Sequence, residues 1–166
     1  MIIVQHCPAR PAKKFDIIII MELKLQNSKK PTPETLPLVK CAVVKAEPTL
    51  TPELFQHFTH GAESIIITSF ANGTVPNRLS AVIKLKVDSG IPVFLISNNS
   101  GDNHGIERLK YQVQVDIAQA GAIALKKVNI NNIESVIRAI QEETVLGKKG
   151  SDLERAISER FGVATS

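Results

Sequence analysis

Three consecutive isoleucines, Ile65-Ile66-Ile67, lie inside the stretch Ala62–Pro76, AESIIITSFANGTVP. Neighbouring side chains of an extended strand point to opposite faces, so an unbroken β-branched run puts apolar groups on both. Such a strand needs cover above and below. A sheet with one wet face does not meet that need; a parallel sheet between helical layers does. The run then breaks into small and polar residues around Gly73 and ends on Pro76, ahead of a helical pattern. That polar segment falls at the carboxyl end of the strand, where open α/β sheets bind their ligands.

The rest of the chain alternates in the same way. Cys41 to Lys45 reads as a strand. Thr51 is placed to cap a helix that opens on Pro52, carries Leu54, Phe55 and Phe58 on one face, and stops at Gly61. The strand Ser64 to Thr68 follows, then a helix over Asn77 to Ser89 with Leu79, Val82, Ile83 and Val87 at helical spacing. Ile91 to Ser97 is a strand. Leu109 to Ala120 carries both a strand-like alternation (Val113, Val115, Ile117) and a helix-like end before Gly121; the alternation of elements selects a helix. Ala122 to Leu125 is the last strand. Asn131 to Glu143 has the stripe Ile133, Val136, Ile137, Ile140, and Ser151 to Glu154 forms a capping box for a helix burying Leu153, Ile157 and Phe161. The expected fold is α/β, a three-layer sandwich with a four-stranded parallel sheet, Rossmann-like, over residues 37–166. Residues 1–36, with Pro8, Pro11, Pro31 and Pro33, read as an N-terminal arm and linker holding a possible strand at Asp16 to Met21.

Composition narrows the function classes. A chain of 166 residues fits one domain, and with 4% aromatics and no Trp its core must be Ile, Val, Leu and Ala. The net charge of +4 comes from scattered pairs such as Lys29-Lys30 and Lys126-Lys127, with no basic block and no interleaved aromatics, so nucleic acid is not an expected partner. Ile17 to Met21 is far short of the ~20 residues that span a bilayer, and no membrane partner is expected. Cys7 and Cys41 make neither a disulfide framework nor a zinc set, which suits a reducing, cytoplasmic setting. Gly73, Gly101 and Gly105 form no dinucleotide or phosphate loop, and no cofactor is expected. His57 and His60 have no third ligand at metal spacing, and Lys45 reads as a surface or packing residue.

Two polar clusters remain, both after strands. Thr68, Ser69, Asn72 and Thr74 can hold a ligand's amino or carboxylate group, or can simply satisfy a turn around Asn72-Gly73. Asn98, Asn99, Ser100, Asp102 and His104 make a denser set, which also suits a plain surface loop. His104 with Asp102 has the make-up of a base and its orienter, without a nucleophile near it in sequence.

Taken together, AVVKAEPTLTPELFQHF (Ala42 to Phe58), GAESIIITSFANGTVP (Gly61 to Pro76), SGIPVFLISNNSG and AGAIAL resemble the C-terminal domain of the asparaginase and glutaminase family, over about Lys40 to Ile140. The resemblance implies a domain that lends polar side chains to the active site of a neighbouring subunit. Aligned on Pro76, the family's loop asparagine falls on Thr74, with Asn72 two residues earlier; the family's carboxylate falls near Gly105 or, with a small shift, Glu107. The segment matching an allosteric cysteine is Ser97-Asn98-Asn99, without a cysteine. The family's Thr-Gly-Gly-Thr and Thr-Asp-Thr strings do not occur. The residues expected to bind ligand are therefore Asn72, Thr74, Asn98, Asn99, Asp102 and Glu107, with no catalytic and no metal residue. The resemblance implies asparagine, aspartate or glutamine as ligand and a homo-oligomer as assembly. Two functions follow: a non-catalytic amino-acid-binding or assembly module, or a part of an amidohydrolase whose catalytic threonines lie elsewhere.

Overall fold

The computed structural model describes residues 39–70, 73–99 and 105–165. The arm and linker over 1–36, with the strand expected at Asp16 to Met21, lie outside the described residues. Four strands, β1 (Cys41–Lys45), β2 (Ser64–Ser69), β3 (Val93–Ser97) and β4 (Ile123–Asn129), form one sheet in the order β1-β2-β3-β4. All three pairings are parallel, as the alternation of elements requires. The helices are α1 (Pro52–Phe58), α2 (Ser80–Asp88), α3 (Gln112–Gln119), α4 (Ile133–Val145) and α5 (Gly150–Phe161).

The strand order explains the layers. Right-handed crossovers that step always in one direction put every connecting helix on the same face. Accordingly α1, α2 and α3 share one core, where Phe55, Leu79, Ile83 and Ile117 pack with Val44, Ile65, Ile67 and Leu95. Among the described residues, no connecting helix covers the other face. The two helices after the last strand do so: Val136, Ile137, Ile140, Leu153 and Ile157 pack with Ile66, Phe94, Ile96 and Leu125. The isoleucine run divides between the two cores, and each of its three side chains is fully buried. Burial of a side chain of this size stabilises by roughly 1.5–3 kcal/mol.

Local signals behave mostly as their chemistry dictates. Thr51 caps α1, its Oγ1 accepting from Leu54 N at 3.3 Å, with Pro52 in the first turn. The helix is only seven residues long and buries Phe55 alone; Leu54, expected on the same face, is exposed. A single 3-10 turn, Asn77–Leu79, precedes α2. Helical burial spacing in α3 (Gln114, Ile117, then Ala120) overrides the valine alternation. The capping box expected at Ser151 does not form: α5 begins at Gly150, and Lys149 holds the cap position without a side-chain bond. Glu154 is instead partly buried, and burial raises its carboxyl above the usual range. β4 is longer than expected because residues beyond Leu125 bow out and return. Its register with β3 moves from Leu95–Ala124 to Ser97–Asn129, so β4 takes more residues than β3 over the same span. Its outer edge is partly closed by the chain end, where Lys126 N donates to Gly162 O at 3.0 Å and Ala164 N to Ala124 O at 2.9 Å. Among the described residues, no helix is long and apolar enough to cross a membrane.

Candidate functional site

The carboxyl ends of three adjacent strands carry polar residues in register. Ser69 of β2 pairs with Ser97 of β3, which pairs with Asn129 of β4. All three are buried. Buried polar groups must be hydrogen-bonded, and each of these holds backbone at its strand end. Ser69 Oγ donates to Ile96 O at 2.8 Å. Ser97 Oγ accepts from Asn99 N at 3.1 Å. Asn129 Oδ1 accepts from Asn131 N at 2.9 Å, while Asn132 Oδ1 accepts from Asn129 N at 2.8 Å.

The loops above this row are anchored to one another. After β2, Phe70 and Thr74 exchange backbone bonds of 2.8 and 3.1 Å, closing a tight turn through Gly73 at a positive φ of 104°. The Arg78 guanidinium reaches back to the β1–α1 loop and donates to Leu50 O at 3.0 Å and to Pro48 O. The segment after β3 docks on the bow of β4: Gly105 N donates to Lys126 O at 3.0 Å and Ile106 N to Leu125 O at 3.1 Å. A Cβ on Gly105 would lie 2.5 Å from the carbonyl oxygens of Lys126 and Val128, so only glycine fits. Gln114, buried in the first turn of α3, accepts with its Oε1 from Lys110 N at 2.5 Å and Tyr111 N at 3.0 Å.

Of the residues expected to bind ligand, Thr74 is half-buried in the β2 turn, Asn98 and Asn99 directly follow β3 and are half-buried, and Glu107 is exposed just beyond Gly105. All four lie on segments that leave or follow the carboxyl ends of β2 and β3. Asn72 and Asp102, with Ser100 and His104, lie outside the described residues. Thr68 is buried within β2. Sequence reasoning missed Gln114 and Asn129. Asn129 had a signal in the run Val128-Asn129-Ile130-Asn131-Asn132, an abrupt polar end to an apolar strand. Gln114 had none, since it sits in a segment whose period is ambiguous. Elsewhere, His57 and His60 are exposed and Lys45 pairs with Glu47 at 3.1 Å. Among the described residues, no group of three His, Cys, Asp or Glu could hold a metal. A cleft of about 220 Å³ lies at the opposite, amino ends of the strands, between Glu63, Gly90, Ile91, Lys148, Lys149 and Leu153. None of the expected residues lines it, and Lys148 there is paired with Glu143 at 2.7 Å.

The row is spent on backbone; the half-buried Thr74, Asn98 and Asn99 and the exposed Glu107 on the adjoining segments are of hydroxyl, amide and carboxylate type, which can donate to a carboxylate or accept from an amine. Ser69 gives its proton to a backbone carbonyl, which is not a base, so that bond does not activate it as a nucleophile.

No protein-family model and no curated protein sequence matches this chain. Solved structures do. L-asparaginase I from Vibrio cholerae matches with a TM-score of 0.60 at 16% identity, over 70% of this chain and 35% of the asparaginase. The thermostable L-asparaginase from Thermococcus kodakarensis matches with a TM-score of 0.61 at 21% identity, over 90% of this chain and 47% of the asparaginase. The chain thus spans less than half the length of either. At such identities the likeness carries the fold. The α/β fold of this chain is that of one part of an L-asparaginase, consistent with the C-terminal domain that its sequence resembles.

Proposed function

We propose that this chain is an asparaginase-type module that binds an amino acid (asparagine, aspartate or glutamine) at the carboxyl ends of its sheet and does not hydrolyse it unaided. The observation that supports this reading is the position of Thr74, Asn98, Asn99 and Glu107, half-buried or exposed, on the segments that follow the carboxyl ends of β2 and β3 in a sheet whose order never reverses. Open α/β sheets bind ligands in the crevice made where strand order reverses and loops diverge to opposite faces. A sheet running β1-β2-β3-β4 has no such crevice. The segments at its carboxyl rim, with Thr74, Asn98, Asn99 and Glu107, are one wall of a site that a second body completes. A second copy of this chain fits that role. Catalysis needs an activated nucleophile, and the family's threonine motifs are absent from the sequence. The purified chain is expected to release no ammonia from asparagine or glutamine above the buffer control. Turnover near ~1 s⁻¹, abolished by a single substitution in this chain, would overturn the reading.

A second reading has its own observation, the chain's span of less than half of the solved asparaginases it matches. It makes this domain part of an amidohydrolase whose threonines lie on another chain or domain. Genomic sequence immediately upstream that encodes Thr-Gly-Gly-Thr and Thr-Asp-Thr would decide for it.

A further inference from the structure

The chain does not stay, after α5, on the face of the sheet where α5 lies. Phe161 ends α5 in the core shared with α4. Ala164, shortly beyond it, is buried in the opposite core, among side chains of α1, α2 and α3. Between them the backbone rounds the outer edge of β4. Gly162 makes that turn, at φ 70° and ψ 156°, a conformation that residues with a Cβ rarely adopt. A Cβ there would meet nothing nearer than Lys126 Cβ at 3.6 Å, so the site demands glycine for its backbone and not for space.

The segment is bonded on both sides. Toward β4, Gly162 O accepts from Lys126 N at 3.0 Å and Ala164 N donates to Ala124 O at 2.9 Å. Past that edge, Thr165 O accepts from Leu109 N at 3.2 Å, and Arg108 pairs with Thr165 as a parallel bridge. Residues 105–109 are therefore fastened at two points. Gly105 and Ile106 hold one end on the bow of β4, and Thr165 holds the other at Leu109. The exposed Glu107 stands between these fastenings.

We propose that Gly162–Thr165 is a strap that positions Glu107 at the rim by fixing the far end of the 105–109 segment to β4 and to both helical layers. The strap deepens the binding proposed above, since it rests on that reading for what Glu107 faces. Its mechanical part stands or falls without a ligand.

Two substitutions loosen the strap in different ways. Gly162→Ala puts a Cβ at the positive φ. Ala164→Pro deletes the N–H that bonds Ala124 O. Amide hydrogen exchange on the full chain reads the result. In both variants the Leu109 amide is expected to exchange about 3- to 10-fold faster, the range for loss of one net hydrogen bond. The Gly105 and Ile106 amides, bonded directly to β4, should keep their wild-type rates, as should Ile66 in β2. Wild-type exchange at Leu109 in either variant would overturn the proposal. An equal increase at Gly105 and Ile106, or one that reaches Ile66, would also overturn it, because the segment would then be held by β4 or by the fold as a whole. No ligand enters this measurement, so the strap can fail while titration with L-aspartate still finds binding, and the reverse.

Discussion

Cys41 opens β1 with its side chain in the core beneath α4 and α5. Ser64, its register partner on β2, is also fully buried. Burial pushes the Cys41 thiol up to about 11, and the Ser64 hydroxyl draws it partly back. An ordinary thiol in the unfolded chain titrates lower, near 9. The folded-state value thus lies above the unfolded one. The stabilisation from keeping the proton is whole below about pH 9 and is lost as pH rises from there toward 11. A shift of this size corresponds to about 2–3 kcal/mol. Urea midpoints measured from pH 7 to 11 should fall more steeply in wild type than in Cys41→Ala. Parallel curves would show that the thiol titrates alike in both states.

The elements were legible where one period dominates. The isoleucine run called for two covering layers, and the stripe over Ile133 to Ile140 became α4 with Val136, Ile137 and Ile140 buried. The site was less legible because its parts are set by tertiary contacts. Ser69 and Ser97 stand at strand ends in sequence, but only register makes them neighbours. Gln114 lies in a segment whose valines alternate, and nothing local says that its amide will be buried. The bow in β4 was invisible because the sequence beyond Leu125, Lys126-Lys127-Val128-Asn129, looks like the start of a loop. The bow wraps Gly105, whose missing Cβ makes room for three carbonyl oxygens. Gly105→Ala should therefore force β4 outward and cost about 1–3 kcal/mol, the usual range for overpacking. Urea unfolding tests this; a wild-type midpoint would mean that β4 yields without strain.

At the scale of the whole molecule, the sequential strand order leaves no crevice at the carboxyl rim of the sheet, where the segments bearing Thr74, Asn98, Asn99 and Glu107 emerge. Two large side chains stand beside that rim, Phe70 at 58% exposure and Tyr111 at 59%. Aromatic groups of this kind are characteristic anchors of interfaces. Closed two-fold pairing is the commonest assembly of a single chain type, so a homodimer of 18.1 kDa chains is expected. Sedimentation equilibrium at micromolar concentration should give the dimer mass, and Phe70→Ser with Tyr111→Ser should shift it to monomer. A wild-type monomer would leave the rim without its second wall. The most direct test of the central claim is a titration of the isotope-labelled chain with L-aspartate, followed by amide chemical shifts. Saturable shifts are expected to cluster at Thr74, Asn98, Asn99 and Glu107, with Glu63, Gly90 and Lys149 at the other end of the sheet unmoved. No saturable shifts, or shifts confined to that other end, would contradict it.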